Sequence, residues 1–288
     1  MAREGDARPE ACHEPNQTYV LIMNAMSTAR GALISRIVTA SRRGYHAAMA
    51  AVVESRINRH GVGSVGFIDI GSAGLLPKPW IYHPSSIRRL LKFDPRARQG
   101  SNSSVDTVDV AVWSENTRRL FYIYSGSGGA GSSLFRQNIE YVDGNFEMLR
   151  QRGPRRLAET WHERSRLVET IEIDCKRLDD LLDERGDHAE YNFIKIDAQG
   201  AELAILHGAT RLLEGTCVGL QLELFSLPLY EGAPLIDEVI TFLADYGFRV
   251  AKKFPPHGSF DSQQDCLFLR DAVAGDPLAT VKTVYGVD

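Results

Sequence analysis

The pattern of apolar and polar positions predicts a chain in which strands and helices alternate. Short apolar runs bounded by turn residues are typical of buried strands, and apolar residues three and four positions apart are typical of helices that pack on a sheet. The apolar runs favour strands at 67–70, 91–93, 106–113, 120–124, 168–174, 193–196, 218–224, 248–254 and 266–270. Helical spacing favours helices at 84–91, 178–184, 201–213 and 235–246.

This order of elements predicts an α/β fold. Strands separated by helices form a mostly parallel sheet with right-handed crossovers, and we expect the final two strands to form an antiparallel hairpin. The chain is expected to comprise a helical extension at 1–63, a core domain at 64–270 and a C-terminal tail at 271–288. Within the core domain, residues 144–166 are predicted to form an arginine-rich helical insertion that serves as a lid.

The composition of the chain excludes several classes of protein function. A hydrophobic content of 43% with 24% charged residues is typical of a globular protein with a sizeable core. The net charge of −4 does not provide the broad basic surface of a nucleic-acid-binding protein. The four cysteines form no C-x-x-C pair, which favours a reducing, cytoplasmic location. The apolar run at 19–26 is too short to span a bilayer, so no membrane span is expected.

The most informative motif lies at the end of the first predicted strand, Asp69-Ile70-Gly71-Ser72-Ala73-Gly74. A strand that ends in a turn of small residues lets the backbone approach a ligand, and Asp94, at the end of the next strand, is placed to accept hydrogen bonds from a ribose. A dinucleotide site needs glycines where this chain has Ala73 and Leu76. An acid beside the turn instead suits a cationic ligand, and S-adenosylmethionine carries both an ammonium and a sulfonium.

A second glycine motif, Gly61-Val62-Gly63-Ser64-Val65-Gly66, has the spacing of the dinucleotide fingerprint in the wrong context. That fingerprint follows a strand and opens a helix, whereas here a helical stretch precedes the motif and a strand follows it. We interpret it as the linker into the first strand.

Asp197, at the end of the predicted strand 193–196, is the candidate catalytic residue. Open α/β sheets bind ligands at this edge. There the carboxylate is placed to take a proton from an acceptor hydroxyl, or to hold that hydroxyl or a divalent ion in line. The alternative is that Asp197 caps the helix beginning near Gly200. Lys195 is expected to reach the strand end or to pair with Glu223, and Glu223 is placed to contact the acceptor.

Two further candidates carry open alternatives. Asp109, or its neighbours Val110 and Ala111, falls where the third strand meets an adenine. His162, within the insertion, is a candidate base in a lid, although a solvated surface histidine is the simpler interpretation. The arginines of the insertion are placed to bind phosphate or carboxylate groups of an acceptor, or simply to form a solvated helix.

Five segments resemble the FkbM family of S-adenosylmethionine-dependent methyltransferases, over roughly residues 65–255. The most specific is Phe193-Ile194-Lys195-Ile196-Asp197-Ala198-Gln199-Gly200-Ala201-Glu202. The other four are Phe67-Ile68-Asp69-Ile70-Gly71, Phe93-Asp94-Pro95, Gly131-Ser132-Ser133-Leu134 and Leu178-Asp179-Asp180-Leu181-Leu182. The chain departs from the family pattern at 75–80, where Leu-Leu-Pro-Lys-Pro-Trp replaces a helix.

The resemblance implies a class I methyltransferase (Rossmann-like) fold, with a mostly parallel seven-stranded sheet whose last two strands are antiparallel. It implies methylation of a hydroxyl on a sugar, glycan or polyketide-like metabolite. It also adds Ser132 and Ser133 as cofactor contacts and Glu202 as a substrate contact, although Glu202 in a first helical turn also suits the helix dipole.

We therefore expect an S-adenosylmethionine-dependent O-methyltransferase that acts on a small-molecule or glycan acceptor. A metal site is not predicted, and a homo-oligomer is left open. Two alternatives remain from the sequence: an NAD(P)-dependent oxidoreductase, and a non-catalytic S-adenosylmethionine-binding protein of a biosynthetic complex.

Overall fold

The computed structural model describes residues 52–53, 55–57, 63–71, 75–95, 100–101, 105–271 and 273–288. The helices expected before residue 50, and the predicted cofactor contact Gly74, lie outside the described residues. No helix in the described residues is long and apolar enough to cross a bilayer.

The described chain builds a large mixed sheet from seven main strands and a two-residue edge strand. Their bounds in chain order are β1 (Val65–Ile70), β2 (Ile87–Phe93), β3 (Gly100–Ser101), β4 (Val105–Val108), β8 (Phe193–Ile196), β9 (Gly219–Phe225), β10 (Phe248–Lys253) and β11 (Gln263–Arg270). The spatial order is β10-β11-β9-β8-β1-β2-β4-β3. The pairs β4–β2, β2–β1, β1–β8 and β8–β9 are parallel, and β11 is antiparallel to both its neighbours. The predicted sheet and terminal hairpin are thus confirmed.

The strand order reverses beside β1. From β1 the chain adds β2 and β4 on one side, and it later places β8 and β9 on the other side. Helices or loops leave β1 and β8 in opposite directions at such a point, and the crevice between them is where open α/β sheets bind ligands. The fold therefore places a crevice at the carboxyl ends of β1, β2 and β8.

A second sheet was not predicted from the sequence. It contains β5 (Ala111–Val112), β6 (Thr117–Tyr124) and β7 (Leu167–Lys176), in the order β5-β7-β6. The predicted strand 106–113 breaks between β4 and β5, which belong to different sheets. The β6–β7 pair is antiparallel and exposes much of its surface, as β7 shows with its alternation of exposed and half-buried residues. Such alternation is typical of an antiparallel pair with a solvated face.

Eight α-helices occur in the described residues. They are α1 (Ile139–Leu149), α2 (Arg155–Glu159), α3 (Trp161–Arg164), α4 (Leu178–Arg185), α5 (Glu202–His207), α6 (Thr210–Glu214), α7 (Ile236–Asp245) and α8 (Asp276–Tyr285). The predicted helix 84–91 is wrong. Two 3-10 turns, Trp80–Tyr82 and Pro84–Ser86, lead directly into β2. The apolar spacing of residues 84–91 fits a helix, but Leu90 and Leu91 pair with β1 and are buried in the sheet.

Three hydrophobic clusters surround the sheet. The largest includes Ile194 and Leu206 and lies between the sheet and α4–α7. The second contains Trp80, Phe193 and Tyr285, so α8, which lies beyond residue 270, packs in the core rather than extending from it. The third lies under the insertion, where Trp161 of α3 stacks near Phe260 with ring centroids 6.1 Å apart. The insertion is thus anchored to the loop between β10 and β11.

Candidate functional site

A cavity of about 430 Å³ opens at the carboxyl ends of β1, β2 and β8. Its size lies within the roughly 300–1,000 Å³ of small-molecule sites. Residues from the insertion and from the β10–β11 loop close the far side of the cavity. Of the predicted site residues, the cavity wall contains Gly71, Asp94, Ser132, Asp197 and Glu223.

Part of the cavity wall is apolar, and we call this part the slot. Asp94 follows β2 and is 7% exposed. The slot is lined by Phe93, Val110, Ala111, Val112, Phe121, Leu134 and Ile205. Asp109 itself is exposed and does not line the cavity, whereas its neighbours Val110 and Ala111 do. The slot and the acid in one cavity wall have the composition expected of a nucleoside site.

Gly71 is where the loops after β1 and β8 come closest. Its N–H donates to the carbonyl of Phe93 over 2.9 Å, and its φ is +79°. A Cβ built on Gly71 would lie 2.8 Å from the carbonyl carbon of Asp197 and would overlap its oxygen. Because only glycine lacks that atom and adopts this φ readily, Gly71 sets the spacing between the two loops.

Asp69 and Lys195 form a buried ion pair behind the cavity wall. They occupy paired positions on β1 and β8, and Lys195 Nζ lies 3.6 Å from Asp69 Oδ1 and 3.3 Å from Asp197 Oδ2. Burial alone would lower the pKa of Lys195, but the Asp197 and Asp69 charges raise it. Neither Asp69 nor Lys195 lines the cavity, so their structural role is to support Asp197.

Asp197 and Glu223 share one hydrogen-bond donor, the side-chain amide of Gln199. Gln199 Nε2 donates to Asp197 Oδ1 over 2.9 Å and to Glu223 Oε2 over 2.7 Å. Burial would raise the pKa of Asp197, yet the Lys195 charge and hydrogen bonds from Gln199 and Glu223 lower it. Burial and the Asp197 charge raise the pKa of Glu223 well above its ordinary value. The proton of the pair is therefore held preferentially by Glu223, and Asp197 is the carboxyl that ionises more readily.

Gln199, which the sequence analysis did not single out, lines the cavity and donates hydrogen bonds to both Asp197 and Glu223. Its φ is +52°, in the left-handed region where a residue with a side chain is uncommon. The Tyr230 hydroxyl lies 3.1 Å from Gln199 Oε1 and 2.8 Å from the carbonyl of Gly131. A Gln-Gly dipeptide after a strand was the sequence signal for this turn. The strained backbone aims the amide at both carboxylates.

Glu202 holds the same loop in place and does not line the cavity. It accepts hydrogen bonds from the N–H groups of Ala198 and Gly200, both over 2.9 Å. Asp197 does not cap α5, since the N-cap residue is Ala201, which makes no side-chain cap, and the Asp197 carboxylate accepts hydrogen bonds from Lys195 and Gln199 instead. The structure thus opposes the capping alternative for Asp197.

Glu202→Gln is expected to remove a pH dependence of stability. Burial raises the pKa of Glu202 from 4.5 to about 7. The folded state therefore holds this proton more tightly than the unfolded state, and stability falls as pH rises between those values. The substitution also leaves one backbone N–H without an acceptor, at a cost of about 1–3 kcal/mol. Thermal unfolding at pH 5 and pH 8 measures both effects.

Glu214 provides the matched control for that prediction because its side chain is exposed. Glu214→Gln should keep the wild-type difference between pH 5 and pH 8. If Glu202→Gln also keeps the full difference, Glu202 does not hold a proton in the folded protein.

The Gly-Ser loop after β6 supports both walls of the cavity. Ser132 lines it, and its Oγ accepts from the N–H of Tyr124 over 3.2 Å. Ser133 lies behind, where its hydroxyl donates to the carbonyl of Gln199 over 2.7 Å. Of the two predicted cofactor contacts, Ser132 is thus at the cavity surface and Ser133 fixes the loop that carries Gln199.

His162 lies outside the cavity. Its Nε2 is 2.6 Å from Asp143 Oδ1, and the side chain is 46% exposed. The ring packs against Phe146 on the outer side of the insertion. This position does not support a role as base, because His162 itself does not line the cavity. Within those residues, no group of three or more His, Cys, Asp or Glu side chains is arranged to hold a metal ion.

The sequence profile of the family described as Methyltransferase FkbM domain matches residues 87–250, more than half of the chain. Among solved structures, the methyltransferase FkbM from Methylobacillus flagellatus KT is similar at 14% sequence identity and a TM-score of 0.40. That alignment covers 75% of this chain and 47% of the other, so the chain spans about half the length of its structural neighbour. No curated protein matches the sequence significantly. The family match includes Asp94, Asp197 and Glu223, and the chain therefore belongs to the FkbM methyltransferase family.

Proposed function

We propose that the protein is an S-adenosylmethionine-dependent O-methyltransferase that acts on a hydroxyl of a sugar, glycan or polyketide-like metabolite. The observation that carries this proposal is a single cavity whose wall contains both the apolar, nucleoside-like slot and the carboxylate of Asp197, whose pKa is lowered by the Lys195 charge. Methyl transfer to oxygen needs both features, because the donor must be held and the acceptor hydroxyl must lose its proton.

The residues of the cavity fit this cofactor. The Asp94 carboxylate would accept hydrogen bonds from the ribose hydroxyls, and the slot around Val110–Val112 and Ile205 would hold the adenine. Two aspartates, Asp69 and Asp197, face the one ammonium of Lys195, which leaves an excess of negative charge at the ends of β1 and β8. That excess favours a ligand with a sulfonium and opposes a dinucleotide, whose pyrophosphate is an anion.

The chain's own residues would supply orientation and proton removal, while the bound cofactor supplies an electrophilic methyl group. Asp197 accepts the proton of the acceptor hydroxyl as the oxygen forms its new bond. Lys195 keeps Asp197 ionised before the reaction, and Gln199 fixes the direction of the carboxylate. Glu223, whose pKa is raised by burial and by the Asp197 charge, would in its protonated form donate a hydrogen bond to Asp197 or to the acceptor.

Asp94→Ala is expected to weaken binding of S-adenosylhomocysteine by about 10- to 100-fold. This is the affinity lost when hydrogen bonds between a ligand and a charged side chain are removed. Calorimetric titration measures this change. Asp109→Ala is the matched control, since Asp109 lies on the same side of the sheet but is exposed and outside the cavity. Equal affinities for the two variants would contradict a ribose contact at Asp94.

The proposed activity is tested by incubating the protein with methyl-labelled S-adenosylmethionine and a panel of hydroxyl compounds, with NAD binding measured in parallel. Labelled product with any hydroxyl acceptor supports the proposal. Binding of NAD without binding of S-adenosylmethionine would favour an oxidoreductase. Tight cofactor binding with no product from any acceptor would favour a non-catalytic binding protein. The cytoplasmic location and the acceptor class stay predictions from the sequence.

A further inference from the structure

Arg164 is a cation of the cavity wall without an acidic partner in the described residues. It is the last residue of α3 and lines the cavity. Its Nη2 donates to the carbonyl of Leu157 over 2.7 Å and to Ser259 Oγ over 2.8 Å, and its Nε donates to Thr160 Oγ1 over 3.1 Å. These bonds hold the guanidinium in one orientation, but all of the acceptors are neutral.

The setting of Arg164 differs from that of Arg89 and Arg185, two other arginines whose side chains are partly buried. Arg89 and Arg185 both lie beside Asp106 and Asp187. By contrast, burial is the sole cause that lowers the pKa of Arg164, with no carboxylate to offset it. A partly buried cation that no carboxylate neutralises is costly, and the cost is recovered when an anion binds. The other five arginines of the insertion are exposed: Arg150, Arg152, Arg155, Arg156 and Arg166.

Two serine hydroxyls lie with Arg164 in the cavity wall. Ser259 accepts the Arg164 hydrogen bond, and Ser262 is fully buried with no hydrogen-bond partner for its Oγ among the described residues. Both serines line the cavity. An unpaired buried hydroxyl is costly unless a ligand completes it. A guanidinium and a free hydroxyl donor together form the donor set that binds carboxylate and phosphate oxygens.

The loop that carries these serines is held in an uncommon conformation. Phe260 and Asp261 have φ values of +61° and +48°, although neither is glycine. The Phe260 ring is fully buried and packs against Trp161, three residues before Arg164 in α3. Strained backbone of this kind persists where the surrounding packing enforces it. The packing of Phe260 on Trp161 therefore holds the serine loop against the helix that ends in Arg164.

The sheet order separates this group from the expected cofactor. Asp94 follows β2, on one side of β8, whereas the serine loop joins β10 to β11, on the other side of β8. Asp197 follows β8 and lies between the two. A cofactor whose ribose lies at Asp94 therefore leaves the Arg164 side of the cavity to the methyl acceptor.

We propose that the methyl acceptor carries an anionic group, a carboxylate or a phosphate ester, which Arg164, Ser259 and Ser262 bind. This inference rests on the proposed function and names its substrate class. The guanidinium and the Ser262 hydroxyl donate to the anion, and this contact would direct a neighbouring hydroxyl of the acceptor toward Asp197.

The experiment compares acceptors that differ only in the anionic group. Methyl transfer is measured with a uronic acid against its parent hexose for the carboxylate arm, and with a hexose 6-phosphate against the same hexose for the phosphate arm. The proteins are wild type, Arg164→Met, Arg164→Lys and the control Arg166→Met, whose arginine is exposed. In parallel, intrinsic tryptophan fluorescence, to which Trp161 contributes, follows titration of sulfate into each protein saturated with S-adenosylhomocysteine, and calorimetry gives the affinity for that cofactor product.

We expect one anionic acceptor to exceed its neutral partner in kcat/KM, and Arg164→Met to lower that kcat/KM by roughly 10- to 100-fold. Arg166→Met should match wild type, and cofactor affinity should be unchanged in every variant. Arg164→Lys retains the charge without the planar guanidinium, so its kcat/KM should lie between those of wild type and Arg164→Met. This variant also provides the measurement if Arg164→Met does not fold.

Each other result has a definite meaning. If no acceptor reacts, sulfate binding that requires Arg164 supports the anion site, and sulfate binding that does not require Arg164, or is not saturable, overturns it. A loss of cofactor affinity in Arg164→Met assigns the arginine to the cofactor and overturns the inference while leaving the proposed function standing. Failure of wild type to bind the cofactor instead rejects the proposed function.

Discussion

Asp197→Asn is expected to lower kcat for methyl transfer by about 100- to 10,000-fold, the usual contribution of a positioned general base. The amide cannot accept the proton of the acceptor hydroxyl, and it loses the charge interaction with Lys195, 3.3 Å away. Affinity for S-adenosylhomocysteine should change far less, because Asp94 follows β2, two strands away from the β8 strand that Asp197 follows. Single-turnover rates and calorimetric affinities separate the two effects.

Asp174→Asn is the matched control for Asp197→Asn. Asp174 lies on β7, with its side chain 78% exposed and paired with Arg118. Its substitution should leave both kcat and cofactor affinity at the wild-type level. A kcat for Asp197→Asn within a few fold of this control would show that Asp197 is not the base. Glu223→Gln would then be the next variant, since Glu223 also lines the cavity.

Gly71→Ala is expected to destabilise the fold and to abolish cofactor binding together. The positive φ of +79° costs about 1–2 kcal/mol for a residue with a side chain. The new methyl group also overlaps the carbonyl of Asp197, and forcing the two loops apart adds roughly 1–3 kcal/mol. Thermal unfolding and titration with S-adenosylhomocysteine measure the two consequences.

Gly186→Ala separates the two causes. Gly186 ends α4 with a φ of +67°, and no atom lies within 4 Å of a Cβ built on it. It should therefore show the cost of the positive φ alone, with cofactor binding retained. If Gly71→Ala is no more destabilising than Gly186→Ala, the close approach between the β1 and β8 loops is not a constraint on the site.

The parallel sheet could be predicted because its strands are buried on both faces and form continuous apolar runs. The strand predicted at 193–196 coincides with β8, and the helices predicted at 178–184 and 235–246 coincide with α4 and α7 to within one residue. The second sheet could not be predicted in this way. Nothing local distinguishes β4 from β5, and their separation depends on pairing with β2 and with β7, which is far away in sequence.

Residues of the cavity wall were predicted where they follow strand ends and missed where they come from distant loops. Asp94, Asp197 and Glu223 each follow or end a parallel strand, so the sheet brings them to one edge. Asp69, Lys195 and Glu202 belong to the same region, but the register of β1 and β8 and the turn before α5 direct them behind the wall. Ser262 reaches the cavity through the β10–β11 loop, and its contact with the insertion leaves no pattern in the sequence.

A crystal structure of the complex with S-adenosylhomocysteine tests the central claim most directly. The account predicts the adenine between Val110–Val112 and Ile205, the ribose hydroxyls on the Asp94 carboxylate, and the sulfur beside Asp197. A ligand bound elsewhere, or bound in this cavity with its ribose turned away from Asp94, would contradict the account.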